Sequence, residues 1–436
     1  MNAPGEKPRR VLVLCYFFPP LAGGGVHRVL SFVRELPRLG WNCTVIAAGR
    51  EDYWVTDDTL EAHIPAATEV IRVSGGSALS TWLRLRGRGT VGRRKGSTFS
   101  LLRRLSDWWL LPDSYAGWIT RARRAAEARL ARGDIDALLS TSPPDSVHLA
   151  ALGARRAHPV PWIADFRDPW MGLTLRQPPS GWHRARQKAY ERSVLETADR
   201  VLVASRTHAD DLRAEGVKTR GVVHLPNGFA PDAEGEVRPA EAGEAAGRFL
   251  AVFTGTLSMM PETEVFLEAL HDLLARRPQL RRRVRAKLAG PFDTGYQDRA
   301  VALGLTGIVE FTGPLTHGAS RALQREADVL LLWKPPGMPT MVPGKLYEYL
   351  DAGRPLVAVL PAGDEAALLA ERGGATRVDP GDRDALGRAL ETVIDRRDAE
   401  GRAATSRPVW LDEHARPVLA RRLAAELDAV LAEARR

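Results

Sequence analysis

Two doubly wound, Rossmann-like α/β domains facing each other across a cleft are predicted by three observations. Apolar runs of strand length alternate with segments of helical period along nearly all of the 436 residues. A strand, a glycine loop, a helix and a second strand open the chain, as in a parallel βαβ unit. The alternation pauses once, between HLPNGF at 224–229 and GRFLAVFTG from Gly247, where Pro, Ala, Gly and Glu dominate without an apolar period. A chain of this length holds two full cores.

In order, RRVLVLCYFF reads as a buried strand, PPLAGGG as a loop, VHRVLSFVRELPRLG as a helix and WNCTVIAAG as the next strand. Val26, Val29, Leu30, Val33 and Leu36 recur at helical spacing, and Gly40 ends the helix. Cys15 and Cys43 fall inside the two strands as small packing residues. Lys7, Arg9 and Arg10 before the apolar run imitate a signal peptide, but Pro19-Pro20 and glycines follow with no small-residue cleavage pattern, so a strand is expected. Strand and helix pairs continue at DALLSTS with DSVHLAALGARRAH, at PWIADF with the helix after Gln177, and at ADRVLVASR with THADDLRAEG. Beyond the pause, FLAVFTG, ETEVFLEALHDLLARR, RVRAKLAG, GIVEFTG, SRALQREA, DVLLLW, PGKLYEYLDAG, RPLVAVL, DEAALLAERGG and TRVDP repeat the pattern. The domains are placed at 1–228 and 229–408, with 409–436 a C-terminal helix packing back on the first.

Composition narrows the function classes. With 44% hydrophobic and 26% charged residues the chain is globular, and no apolar run approaches the length of a membrane span. Two cysteines cannot form a disulfide framework, and no Cys/His cluster suggests zinc, so a cytoplasmic home is expected. Only seven of the 62 basic residues are Lys, so each Lys draws attention.

Four segments can do chemistry. Gly23, Gly24 and Gly25 lie between a strand and a helix start, which reads either as an anion cradle or as a tight turn. In VPGKLYEYLDAGRPLVAV, Pro343 and Gly344 open a helix, Lys345 falls in its first turn and Glu348 one turn on. A cation there is disfavoured unless an anion joins it, so Lys345 reads as a phosphate ligand or as an exposed lysine. Glu348 suits a ribose diol. ADFRDPW ends a strand with Asp165, Arg167 and Asp168, either an acceptor-orienting acid and a phosphate-pairing cation or an internal ion pair. His148 and His27 are further acid/base candidates. The stretch from Trp82 to Leu111 holds eight basic residues and no acidic one between Arg84 and Arg104, among them Arg93, Arg94, Lys95, Arg103 and Arg104, followed by Trp108 and Trp109. It reads as an anionic membrane or acceptor contact, or as a basic loop. No nucleic-acid module accompanies it, and nucleic acid is not an expected partner.

Taken in order, FPPLAGGGVHR, PNGF, FTGTL, GLTGIVEFTGPL, ADVLLLW and GKLYEYLDAGRPLVAV resemble the family 4 type of retaining glycosyltransferases, group 1, with the GT-B fold. The resemblance implies a nucleotide-diphosphate sugar held by the second domain at Gly255, Thr256, Gly344, Lys345 and Glu348, facing the glycine loop. It places Thr312, Gly313, Pro314 and Leu315 beside the nucleobase and acceptor recognition in the first domain. Two departures stand out: Thr340 occupies the position of the first of two family glutamates, and FTGTLSMMPETEVF lacks the usual Arg and Lys. Lys345 would then take much of the diphosphate charge. The implied activity is sugar transfer to a hydroxyl acceptor with retention. The residues themselves add the expectation of no cofactor or metal, and the basic Trp82–Leu111 segment that of a lipid-linked acceptor or cell-surface glycan precursor met on the cytoplasmic side, peripheral at the inner membrane. Asp134-Ile-Asp136 mimics a metal motif but precedes its strand. A sugar-nucleotide epimerase or a non-catalytic nucleotide-sugar-binding protein are the alternatives.

Overall fold

The structure, a computed structural model, describes residues 8–21, 24–53, 56–75, 108–171, 178–216, 221–231, 248–258, 260–402 and 405–436. It divides into two compact units, Met1–Asn227 with Arg416–Arg436, and Gly228–Ala415. The first carries strands β1 (Arg9–Cys15), β2 (Trp41–Ala48), β3 (Glu69–Val73), β4 (Ala137–Ser142), β5 (Trp162–Phe166), β6 (Arg200–Val203) and β7 (Val222–His224). Helices α1 (Gly24–Glu35), α2 (Ala116–Leu130), α3 (Ser146–Ala157), α4 (Gly181–Thr197) and α5 (Arg206–Ala214) connect them. The second carries β8 (Phe249–Thr254), β9 (Val284–Ala289), β10 (Val309–Gly313), β11 (Val329–Trp333), β12 (Leu356–Val359) and β13 (Thr376–Val378). Its helices are α6 (Glu262–Arg276), α7 (Thr294–Ala302), α8 (His317–Glu326), α9 (Gly344–Asp351), α10 (Glu365–Arg372) and α11 (Arg383–Glu400). The last helix, α12 (Arg416–Ala434), returns to the first unit.

Both sheets are parallel, ordered β3-β2-β1-β4-β5-β6-β7 and β10-β9-β8-β11-β12-β13. The order reverses between β1 and β4 and between β8 and β11. Open α/β sheets bind ligands beyond the carboxyl ends of the strands at such switch points.

β1 shows why its run is uninterruptedly apolar. Val11, Val13 and Cys15 pack on one face with Val29 and Val33 of α1 and Leu419, Leu423 and Leu427 of α12. Leu12 and Leu14 pack on the other with Trp118 of α2 and Val147 and Ala151 of α3. Alternate side chains of a strand face opposite sides, so a sheet covered on both needs apolar residues at every position. α12 is fixed by Asp428, which accepts hydrogen bonds from Arg9 Nη1 at 2.6 Å and Trp41 Nε1 at 2.8 Å. Both cysteines are buried and unpaired, and burial pushes each thiol up to about 12. In the second unit Phe253, Phe266, Leu288, Leu331 and Trp333 form the core.

Five elements escape the sequence reading: β3, α2, β7 and, in the second unit, α7 and α11. β3 is half-buried throughout, and its EVIRV lacks a continuous apolar run. α2 buries Trp118, Ala122 and Ala126 at four-residue spacing, but alanines and the buried Arg129 blur the stripe. β7 is three half-buried residues at the sheet's edge. The segment 409–436, expected to pack as one piece, divides at 415. Val409–His414 is a 3₁₀ turn of the second unit, where His414 stacks on Tyr347 at 4.8 Å and its carbonyl accepts from the Phe229 amide.

Candidate functional site

In the second unit Lys345 stands at the switch point. Pro343 precedes α9 and Gly344 opens it, so the Lys345 side chain leaves the first turn at the carboxyl edge of β8 and β11. Its ammonium lies 3.6 Å from the centroid of the Phe253 ring, which stacks on Trp333 at 4.4 Å. No hydrogen bond or ion pair holds the ammonium among the described residues. Burial pushes its pKa down to about 7, and the nearby Glu348 carboxylate opposes that shift. Gly255, at φ +129°, makes room: a Cβ there would stand 3.2 Å from Lys345 Nζ. Gly255 and Thr256 are exposed, and Lys345 and Glu348 half-buried. A cation with an open face, beside an exposed backbone turn and a helix start, can receive an anion.

Buried bonds hold this frame. The Tyr349 hydroxyl of α9 accepts from the Thr254 amide at 2.7 Å and donates to the Thr254 carbonyl at 3.2 Å. Gln324 of α8 donates to Thr254 Oγ1 at 3.0 Å. Arg321 donates to the Glu348 carbonyl at 3.1 Å and to Asp351 at 2.5 Å, closing the far end of α9. A further device is Lys334, which the sequence marks only as one of its seven lysines. Buried just past β11, it donates to Asp364 at 2.5 Å and to the Met341 carbonyl at 3.0 Å. It thereby pins the loop that carries half-buried Thr340. At the end of β10, Gly313 adopts φ +73°, half-buried like Thr312, while Pro314 and Leu315 are exposed. They lie at the same edge of the sheet as Lys345, with β9 and β8 between.

The first unit corrects two assignments. Asp165 is buried and fully engaged: Arg28 of α1 donates to its two oxygens at 2.8 and 3.1 Å, and Thr141 donates at 2.9 Å. Arg28 also donates to the Leu225 and Pro226 carbonyls. Asp165 is therefore a fixed ion-pair partner rather than an acceptor base. The internal ion pair expected at ADFRDPW exists, but with an arginine 137 residues away. Arg167 is no free phosphate ligand, since it donates to the carbonyls of Ser142 at 2.7 Å, Pro143 at 3.1 Å and Gly25. Gly25 has a packing reason to be glycine, because a Cβ would meet Arg167 Nη1 at 3.0 Å. Gly24 opens α1, and Gly23 lies outside the described residues. Asp168, half-buried just beyond β5, stays at the carboxyl edge.

His148 is buried, its Nδ1 2.8 Å from Ser140 Oγ and its ring against Phe166 at 4.3 Å. Burial pushes its pKa down to about 3. Asp134 pairs with Arg129 and Arg10, and Asp136 accepts from the Arg10 amide at 2.8 Å, both before β4 and so at the opposite edge of the sheet. Among the described residues no group of three or more His, Cys, Asp or Glu could hold a metal, and no helix is long and apolar enough to cross a membrane. Trp108 and Trp109 are 54% and 84% exposed. Arg93, Arg94, Lys95, Arg103 and Arg104 lie outside the described residues.

Residues 23–228 match a family model described as a glycosyl transferase 4-like domain, and residues 248–396 one described as glycosyl transferases group 1. No protein of curated function matches the sequence. The structure resembles that of an α,α-trehalose 6-phosphate synthase from Burkholderia multivorans, with a TM-score of 0.65, 18% identity and 98% of each chain covered. It also resembles a sucrose-phosphate synthase from Thermosynechococcus elongatus, with a TM-score of 0.59 and 15% identity, covering 98% of this chain and 97% of that one. A third is WaaG, a glycosyltransferase involved in lipopolysaccharide biosynthesis, with a TM-score of 0.58 and 16% identity, covering 97% and 98%. At these identities the likeness shows the two-domain α/β fold they share.

Proposed function

The chain belongs to the group 1 glycosyltransferases and is a transferase enzyme, and from that premise we propose that it moves a sugar from a nucleotide-diphosphate donor to a hydroxyl acceptor with retention of configuration. The observation that carries this reading is Lys345, a cation at the switch point with no counter-ion among the described residues. The donor diphosphate supplies that counter-ion. Its phosphates lie against Lys345 and the Gly344 helix start, with Gly255 and Thr256 alongside. Glu348 accepts from the ribose diol, and Gly313, Pro314 and Leu315 border the base.

As the bond from the anomeric carbon to the diphosphate oxygen breaks, Lys345 stabilises the negative charge developing on the leaving group. The acceptor oxygen bonds to the same face of the sugar, and its proton passes to the departing phosphate. No side-chain nucleophile is needed. Asp168 orients the acceptor hydroxyl. The Lys334–Asp364 pair fixes the loop that presents Thr340 to the sugar. Because Lys345 neutralises the leaving group, turnover is expected to persist in EDTA. Exposed Trp108 and Trp109, after a basic block of sequence, fit a lipid-linked acceptor met at an anionic membrane surface on the cytoplasmic side.

A thermal-shift screen of nucleoside diphosphates and their sugars would identify the donor by mass action. With that donor, Lys345→Ala is expected to raise the dissociation constant and lower kcat by roughly 10²–10³-fold, the scale of one lost stabilising donor. Unchanged donor binding and kcat would remove Lys345 from the mechanism.

A further inference from the structure

Away from the switch point, helices α2, α3 and α4 enclose a groove of about 370 Å³ on the first unit. Arg123, Arg156 and Arg186, one from each helix, line it together with Leu149, Leu152 and Tyr190, and no acidic side chain is among its lining residues. Arg156 and Arg186 have no ion-pair partner among the described residues. Arg186 lies over the Tyr190 ring at 4.9 Å, and among the described residues Arg123 pairs only with its own helix's Glu127, at 3.2 Å. Gly153 lets α2 come close, because a Cβ there would meet the Arg123 side chain at 2.3 Å. Three cations set in apolar walls match an anion that carries hydrocarbon.

The same stripe of α4 leads out of the groove. Trp182 precedes Arg186 by one turn, and Tyr190 follows by another, so they share a face. Trp182 is 64% exposed. It meets His183 edge-on at 4.9 Å, and Trp108 meets the same ring at 5.2 Å. His183 Nε2 lies 3.2 Å from the Trp108 carbonyl, which ties the segment before α2 to the start of α4. Neighbouring indoles left in solvent, in line with an arginine-lined groove, mark a surface with a use. Indole rings favour the headgroup level of a bilayer, where an apolar body and a polar edge are both satisfied.

We propose that this face of the first unit docks on an anionic phospholipid surface, with the phosphate of one lipid in the groove against Arg123, Arg156 and Arg186 and the Trp108, Trp109 and Trp182 rings among the headgroups. This rests on the membrane reading above, and adds to its Trp108 and Trp109 the three groove arginines and Trp182.

The test is sedimentation of the full chain with vesicles of phosphatidylglycerol and phosphatidylcholine in equal parts, and with phosphatidylcholine alone, at low salt. The wild type is expected to bind the mixed vesicles and not the neutral ones. R123Q/R156Q/R186Q is expected to bind on the order of a hundredfold more weakly, at about fivefold for each arginine near such a surface. W182S is expected to lose binding without changing the number of basic residues. Circular dichroism and the thermal midpoint of each variant establish that it is folded. Should the wild type bind and the folded triple variant bind equally well, the groove assignment is overturned while the membrane reading stands. Failure of the wild type to bind overturns both. Inorganic phosphate that stabilises the wild type but not the triple variant, with vesicle binding unchanged between them, would assign the groove to a soluble phosphate and overturn the lipid.

Discussion

An ammonium over an aromatic face, without a counter-ion among the described residues, is sensitive to pH. With its pKa pushed down to about 7, Lys345 is charged in the free enzyme only below neutrality. A donor diphosphate favours the charged form, so above pH 7 binding must take up a proton. The donor association constant is expected to be level below pH 7 and to fall above it by up to about tenfold per pH unit. Titration calorimetry in two buffers of different ionisation enthalpy would measure the uptake, and Lys345→Met should abolish it. His148 behaves in a different way. Its pKa falls from 6.5 to about 3 on folding, so its contribution to stability is complete above pH 6.5 and is lost as pH drops towards 3. His148→Phe should leave kcat unchanged and move acid unfolding to lower pH, read by tryptophan fluorescence. A loss of kcat would restore His148 as an acid/base group. At this scale Lys345 was legible because lysine is scarce in the chain and a helix start is a poor place for a lone cation. Asp165 and Arg167 were not, since sequence shows that charges end a strand but not that Arg28 arrives to meet one of them.

Backbones meet closely where β8 and β9 end. Gly290, just past β9, has φ +138°, and a Cβ on it would stand 1.9 Å from the Gly255 carbonyl oxygen. The turn that faces Lys345 therefore rests against the end of the neighbouring strand. Gly290→Ala is expected to destabilise the protein by about 2–4 kcal/mol, from backbone strain and overpacking together, and to weaken donor binding. Gly295→Ala, in α7 with nothing within 4 Å, should leave donor binding unchanged and raise stability by up to about 1 kcal/mol. Urea unfolding and donor titration of the pair would decide whether this contact shapes the site. Long apolar strands and the helix at Gly344 could be read from period alone. β3 and α2 could not, because a half-buried edge strand and an alanine-rich helix with a buried arginine dilute the signals that period detects.

For the whole molecule, the pause in sequence between 229 and 247 marked the change of unit, but the second change, at 415, had no compositional mark and was set by packing. Leu419, Leu423, Leu427, Val430 and Leu431 of α12 are buried in the first unit. Their burial is worth at most about 7–15 kcal/mol, comparable with the net stability of an ordinary domain. A fragment of residues 1–227 should therefore be insoluble or lack a cooperative thermal transition, and joining 416–436 to it through a flexible linker should restore one. A cooperative transition in the unextended fragment would show that α12 is dispensable. The same connectivity sets a timetable during translation. All of Gly228–Ala415 must be made after the first unit's strands and before α12, which completes with α1 the cover over Val11 and Val13. At ribosomal speeds of about 5–20 residues per second, the nascent chain leaves that side of the sheet covered by α1 alone, without α12, for roughly 10–40 s. A substitution that lowers the solubility of the unfinished first unit can thus cut the yield of enzyme while leaving the finished fold unchanged.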